Sequence, residues 1–502
     1  NPDMQEVMLT IGWADLKSFL SVGYILFVIV TIAVIIHDKR EPVKALSWII
    51  VISLLPVVGF IFYIVFGRNH RKQKLFSRKE LSDLEQIDTL SRQQIYEINN
   101  AAVLHKPEIS DNRDIITLLL NSNKALLTVH NRVKLLNDGT ETFDEIRKAL
   151  WSASSSIHLE YYIIEDDPLG REIADILIAK AQQGVEVRLI YDDVGSWGLG
   201  RKYIGRLRKA GVRVECFMQV VFPWLTSHVN YRNHRKILVV DGKIGFTGGI
   251  NIAQRYVTGT KMGPWRDTHL RLEGEAVGML QIVFIADWFF VSKQLLNDYP
   301  KYLPKTHVKE ETMIQIVTSG PDSDWASIMQ AFFSAITHAQ HHIYISSPYF
   351  LPNEAILTAV KVAALSGIDV RIMIPSRSDS KVVYWASRSY IGELIDANVK
   401  VYLYRRGFNH SKLIMIDGQF SSVGTANMDI RSFEDNFEVS ALLYDRKITQ
   451  ELEAEFGVKH LPSDFKKHNG YLRSLQLSEE YGLYRQDYCG CEFSAKARGI
   501  EK

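Results

Sequence analysis

The sequence predicts an α/β protein made of two copies of one domain, set behind a pair of apolar helices. Three observations predict it. A block reading His234-Arg-Lys236-Ile-Leu-Val-Val-Asp241-Gly242 returns as His410-Ser-Lys412-Leu-Ile-Met-Ile-Asp417-Gly418. Before each copy, short β-rich runs alternate with helical patterns in the same order, as a sheet flanked by helices requires. Two long uncharged runs stand near the start of the chain.

The uncharged runs, Ser18 to Ile36 and Ala45 to Phe66, hold 19 and 22 residues. As helices each spans about 30 Å, the thickness of a bilayer's hydrocarbon core. Pro56 and Gly59 inside the second run are tolerated in membrane helices. A cleaved signal peptide fits poorly, because Asp3, Glu6 and Asp15 stand where a basic stretch belongs and no small-residue cleavage site follows. Residues 1–67 therefore read as a transmembrane hairpin, with helices over about 18–36 and 45–66. The segment Asp38 to Lys44 between the runs is too short to hold a domain, so both flanks lie on one side. Arg68, Arg71, Lys72, Lys74, Arg78 and Lys79 follow the second run, which makes that side cytoplasmic. The expectation is a multi-pass cell-membrane protein whose large soluble part is cytoplasmic. The same basic cluster suits anionic lipid headgroups, and it opens a polar, partly helical connector over 68–110.

Beyond the connector, the 502-residue chain has ample material for buried cores, being 46% hydrophobic and 23% charged. A net charge of +2 creates no global field for nucleic acid, which favours a strongly basic groove. Three cysteines, Cys216, Cys489 and Cys491, make no disulfide framework and fit a reducing compartment. In the first repeat, 111–305, Ile157 to Ile164 reads as a strand. A helix follows from about Gly170 to Gln183, stopped by Gly184, and Val185 to Tyr191 is the next strand. The second repeat, 306–456, has the same order: strand Ile343 to Ser347, helix Asn353 to Ser366, Gly367, then strand Val370 to Ile374. Gly248, Asn251 and Arg255 return as Gly424, Asn427 and Arg431, and every pair is offset by 176 residues, as from His234 to His410. The tail, 457–502, matches no pattern we can place.

Each histidine stands two positions before its lysine at the start of a strand, and residues at i and i+2 share a face. One strand thus presents an imidazole and an ammonium together. The Asp-Gly pairs suit tight hairpin turns, so Asp241 and Asp417 have a structural use as well as a place in the catalytic set. Gly248-Gly249-Ile-Asn251 and Gly424-Thr425-Ala-Asn427 offer backbone N–H groups and an amide to an anion. Two such half-sites face to face would bring two histidines, two lysines and two asparagines around one phosphodiester. One histidine would attack phosphorus while the other protonates the leaving oxygen. This chemistry calls for no metal and no cofactor. His338, His341 and His342 have ligand-like spacing but read as helix-end residues, and Gly195 to Lys202 lacks the Gly-Lys-Ser/Thr of a phosphate loop.

His-x-Lys, four residues, Asp, then six residues and Gly-x-x-Asn is the signature of the phospholipase D superfamily, and both copies resemble it over roughly residues 130 to 445. The resemblance implies two α/β sandwich halves related by a pseudo-twofold axis, with one site at their junction and a phosphohistidine intermediate. It implies His234 as nucleophile, His410 as acid and then base, and Lys236, Lys412, Asn251 and Asn427 as the residues that bind the substrate phosphate. It also implies an acidic residue downstream of each motif to orient a histidine, which nominates Asp267 and Glu438. Two amino-terminal membrane helices before a doubled motif resemble the bacterial cardiolipin synthases. So do His158-Leu-Glu160-Tyr161-Tyr162, Gly245-Phe-Thr-Gly248-Gly249-Ile-Asn251-Ile and Ser346-Ser-Pro348-Tyr349-Phe350. That subgroup implies the reaction 2 phosphatidylglycerol → cardiolipin + glycerol. The alternatives are a hydrolytic phospholipase D, a transferase with another alcohol acceptor, a nuclease and an inactive scaffold; intact motifs speak against the last. An apolar loop, Phe222-Pro-Trp224-Leu225, has two uses open to it: dipping into the bilayer surface or packing on the protein.

Overall fold

The computed structural model of the chain describes residue 18 and residues 21–36, 42–63, 83–99, 107–220 and 231–458. Residues 1–449 form one compact unit and 450–502 a second, of which only the end of helix Arg446–Val458 is described. The basic cluster 68–79, the loop Phe222 to Leu225 and the tail with Cys489 and Cys491 lie outside the described residues.

Two mixed sheets carry the repeats. In the first, parallel strands Ser156–Tyr161, Glu186–Asp192 and Arg213–Phe217 continue into antiparallel strands Lys236–Val240, Ile244–Gly248 and Trp265–Gly274. The second sheet repeats this with parallel His342–Ser346, Asp369–Pro375 and Lys400–Tyr404, then antiparallel Leu413–Ile416, Phe420–Gly424 and Glu438–Tyr444. The crossover helices start and stop where local chemistry directs. Asp167 caps Pro168–Gln182 by accepting from Gly170 N, and Asn353 caps Glu354–Leu365 by accepting from Ile356 N. Gly184 and Gly367 end them at φ 89° and 96°, a region open to glycine.

The two repeats exchange backbone. Phe408–Asn409 of the second pairs with Trp265 and Arg266 of the first sheet, Leu127–Thr128 of the first pairs with Met313–Ser319 of the second, and a single bridge joins Asn233 to Phe437. The 305/306 boundary expected from sequence therefore separates chain segments but not hydrogen-bonded units. Helix Glu275–Ser292 packs between them, touching Lys236–Val240 and Trp265–Gly274 on one side and Met313–Ser319 on the other. It is long and apolar enough to cross a membrane, yet Leu280, Phe284 and Trp288 are buried in the protein.

The amino-terminal runs form apolar helices Ser21–Ile36, Pro42–Leu54 and Pro56–Phe62. The second run breaks at Leu55 because Pro56 supplies no N–H and crowds the preceding turn. The helices pack through Ile35, Ile52 and Tyr63, with the Phe27 and Phe60 rings 5.0 Å apart. Val30, Leu46, Leu54 and Ile61 face outward uncovered. The connector contributes helix Asp83–Asn99, docked where Gln94 pairs with both backbone groups of Leu127.

Asp241 and Asp417, expected in the catalytic set, hold turns at the strand end opposite the histidines. Each has a positive φ (54° and 53°) and is followed by a glycine at 64° and 65°, the paired left-handed turn that Asp-Gly favours. The Asp241 carboxylate accepts from the backbone N–H groups of Ser154, Ser155 and Ser156 and from the Ser154 hydroxyl. Asp417 accepts from the N–H groups of Gln340, His341 and His342. Their carboxylates are thus committed to clamping the start of the neighbouring strand. Asp241→Ala is expected to lower stability by about 2–4 kcal/mol through loss of these charge-assisted bonds, seen as an earlier thermal transition in detergent, with turnover per folded molecule little changed. A collapse of turnover at unaltered stability would restore Asp241 to the catalytic set.

Candidate active site

His234 and His410 stand where the chain enters each motif strand, and the opposite repeat holds both segments. His234 N donates to Phe437 O at 2.9 Å, and His410 N donates to Arg266 O at 2.7 Å. Each side chain then meets a carboxylate from the other repeat. Nδ1 of His234 lies 2.9 Å from Glu438 Oε2, and Nδ1 of His410 lies 2.7 Å from Asp267 Oδ2. Glu438 is held ionised and only accepts, so Nδ1 of His234 carries the proton and its Nε2 keeps the lone pair. Asp267 and Glu438, nominated to orient histidines, each bond the histidine of the other repeat.

A cavity of about 550 Å³ is lined by His234, His410, Asn251 and Asn427 together with Tyr162 and Trp265. A second cavity, about 600 Å³, lies near Gly242 and Leu303 and contains neither histidine; the chemistry belongs to the smaller one. Lys236 and Lys412 share their histidines' strand face as the i, i+2 spacing requires. They lie behind the cavity wall, not in it. Lys236 Nζ donates to His234 O at 2.8 Å; Lys412 Nζ bonds the His410 carbonyl and lies 2.8 Å from that ring's Nδ1.

Two N–H groups of the expected anion nests are already committed. Gly249 N donates to Thr268 O and Thr425 N to Val439 O, extending paired strands of each sheet. Gly249 serves another purpose: a Cβ there would stand 2.0 Å from Asp267 Oδ1, so only glycine lets that carboxylate reach His410. In the second copy Thr425 takes the place, and its hydroxyl donates to Glu438. The asparagines also differ. Asn251 is engaged by Ile163 N and Tyr256 Oη, whereas Asn427 Oδ1 is buried without a partner among the described residues.

Sequence reasoning missed the aromatic wall and a buried charge cluster. Tyr162 packs edge-on against His234 at 4.8 Å, and Trp265 lies 5.7 Å from His410. Arg235, between the motif's His and Lys, is fully buried; it pairs with Asp287 and donates to the backbone carbonyl of Glu438. Glu160, bonded by Asn233, is pushed well up by burial and by Asp287. Arg235 was visible in the motif, but Asp287 sits on the core helix with no local signal to link them. The second copy has neutral Ser411 and Ser346 in the corresponding places. His338, His341 and His342 do not converge: His338 bonds Ser334 O within its own helix and His342 begins a strand.

Burial dominates the electrostatics. It pushes His234 down to about 4 against the pull of Glu438, and pushes His410 down with help from Lys412 and Lys236. Burial pushes Lys236 down to about 7, opposed by Glu438. Burial alone would raise Glu438, but His234 and Lys236 outweigh it and hold the carboxylate below its ordinary value. Asp267 is pushed up by burial against Lys412. Burial thus favours neutral imidazoles, beside a lysine pushed down to about 7. In the free enzyme, kcat/KM is expected to fall as pH rises through about 7, because Lys236 loses its charge. A bound phosphate anion favours the ammonium, so kcat should hold to higher pH. Lys236→Arg should remove the alkaline limb of kcat/KM even if it lowers the plateau; an unshifted limb would assign it to another group.

The family model described as "Cardiolipin synthase, PLD-like domain" matches residues 146–261 and 332–459, and "Phospholipase_D-nuclease N-terminal" matches 25–68. The cardiolipin synthase of Halalkalibacterium halodurans is 46% identical over 430 residues, covering 84% of each chain. The major cardiolipin synthase ClsA of Bacillus subtilis is 41% identical over 450 residues, 87% of this chain and 91% of that one. The crystal structure of phosphatidylserine synthase from Haemophilus influenzae superposes with a TM-score of 0.52 at 12% identity, covering 75% of this chain and 99% of that one; it shares the fold. The tail left unplaced from sequence has a likeness after all: the model "Epoxyqueuosine reductase QueH" matches residues 439–497. That match begins inside strand Glu438–Tyr444 of the second sheet.

Proposed function

The chain belongs to the cardiolipin synthase family of phospholipase D-like proteins, and on that premise we propose that it transfers a phosphatidyl group between two phosphatidylglycerol molecules, yielding cardiolipin and glycerol. The observation that carries this reading is the single cavity in which the two repeats each present a histidine held by the other's carboxylate. His234 Nε2 attacks the donor phosphorus, the bond to the headgroup glycerol oxygen breaks, and His410 supplies that oxygen's proton. The acceptor's glycerol hydroxyl then attacks the phosphohistidine, its proton passes to His410, and the N–P bond breaks. Glu438 supports the nucleophile's role for His234, because an ionised carboxylate behind the ring compensates the imidazolium of the adduct. The incoming phosphate's negative charge favours protonation of His410 before the leaving group departs. Lys236 and Lys412, beneath the histidines, offset charge on the phosphorane, and Asn427 contributes its free amide oxygen's end of the cavity to orienting the headgroup.

Transfer must outcompete water. Both histidines are more than nine-tenths buried, which restricts water to the space the substrate does not fill. The amino-terminal helices cross the membrane as a hairpin with the catalytic unit on the cytoplasmic side. Their outward apolar side chains and the basic residues after the second run support this. The partners are phosphatidylglycerol and other anionic lipids; a net charge of +2 favours no nucleic acid.

The test is to incubate the purified full chain with phosphatidylglycerol alone and analyse the lipids by mass. Cardiolipin and glycerol are expected in equal amounts. Exchanging one phosphodiester for another is nearly energy-neutral, so excess glycerol should return cardiolipin to phosphatidylglycerol. Phosphatidic acid as the main product would make the protein a hydrolase.

A further inference from the structure

The cavity opens beside helix Lys381–Ser389, whose first turn lines it through Ser380 and Val383. The helix is pinned from within: Ser380 caps it through Val383 N, and buried Arg388 donates to Ser376 O at 2.8 Å while stacking on Tyr384 at 3.6 Å. Its outer face is apolar and uncovered, with Val382 79% and Trp385 59% exposed. Ser376 N donates to Tyr404 O, which sets Arg377 alongside Arg405 and Arg406. These three and Lys381 are exposed, and none pairs with a carboxylate among the described residues. On the first repeat's side, Trp197 is 70% exposed next to Ser196, whose hydroxyl donates to the carbonyl of the cavity-lining Tyr162.

Scattered exposed apolar residues are ordinary, but here they flank a cavity whose substrate, on the reading above, is a diacyl lipid. Its phosphate must reach buried histidines while its chains stay in hydrocarbon, since drawing them into water costs more with every methylene. The mouth must therefore meet the bilayer. Tryptophan favours the membrane–water boundary, and unpaired basic side chains favour anionic headgroups. We propose that the outer face of helix Lys381–Ser389, with the flanking cations Arg377, Lys381, Arg405 and Arg406, lies against an anionic bilayer and admits substrate directly from it.

The proposal rests on the phosphatidylglycerol reading, and two readouts keep the two separable. With the full chain in nanodiscs containing phosphatidylglycerol, brominated phosphatidylcholine should quench a tryptophan signal that Trp385→Phe removes. For Val382→Ser/Trp385→Ser, the apparent KM for phosphatidylglycerol in the bilayer should rise about tenfold or more. Turnover of dihexanoyl phosphatidylglycerol, which is monomeric in water, should stay within about twofold, showing that the variant is folded. Arg405→Glu/Arg406→Glu should raise the same KM and weaken its dependence on the fraction of anionic lipid. Absence of quenching with an unchanged KM overturns the proposal, and so does a serine variant that converts a dimer to a monomer, which would assign the face to a second copy. If Trp385 is quenched but wild-type protein makes no cardiolipin, docking stands and the phosphatidylglycerol reading fails.

Discussion

Each of the paired histidines takes its orientation from a carboxylate that belongs to the other repeat. His234 bonds Glu438 across 204 positions of sequence, and His410 bonds Asp267 across 143. Much else in the fold serves this exchange. Backbone bonds from His234 to Phe437 and from His410 to Arg266 align the entering segments, and strand Phe408–Asn409 leaves its own sheet to do so. The buried helix Glu275–Ser292 fills the space between the repeats and carries Asp287 to Arg235, which in turn bonds the backbone of Glu438. A buried carboxylate is costly unless paired, so the histidine of the other repeat adds to the partners that hold each of Asp267 and Glu438 in the interior.

The two halves are copies in topology and not in chemistry. Gly249 makes room for the shorter Asp267, while Thr425 reaches the longer Glu438 with a hydroxyl. Beneath the first motif lie Arg235, Asp287 and Glu160; beneath the second lie serines. One imidazole thus faces a carboxylate held ionised, and the other a carboxylate that burial pushes toward its neutral form. Unequal surroundings of this kind let two chemically identical side chains take unequal roles in one reaction.

The repeat was legible because strand chemistry is local. The spacing of His and Lys, the Asp-Gly turns and the strand–helix–strand order all act within a few residues of sequence, and the strands Ser156–Tyr161 and His342–Ser346 lie where the apolar runs placed them. Asp267 and Glu438 were nominated by family resemblance, but which histidine each serves depends on how the sheets meet. Asp241 and Asp417 were given both a turn and a catalytic place, and the motif does not reveal that their carboxylates bond the N–H groups at the start of the neighbouring strand. That Gly249 and Thr425 spend their N–H groups on backbone bonds to the neighbouring strand depends on sheet pairing, which the Gly-x-x-Asn spacing does not show. The core helix escaped notice because an all-round apolar helix has no amphipathic period to read.

The crossed pairing is tested most directly by rapid-quench, single-turnover reaction with phosphate-labelled phosphatidylglycerol, followed by mass mapping of the adduct. The label is expected on His234, forming at least about a hundredfold more slowly in Glu438→Gln, because the residue that supports the nucleophile lies in the other repeat. Label on His410, or an adduct on His234 that forms in Glu438→Gln as fast as in the wild type, would contradict the shared site as described.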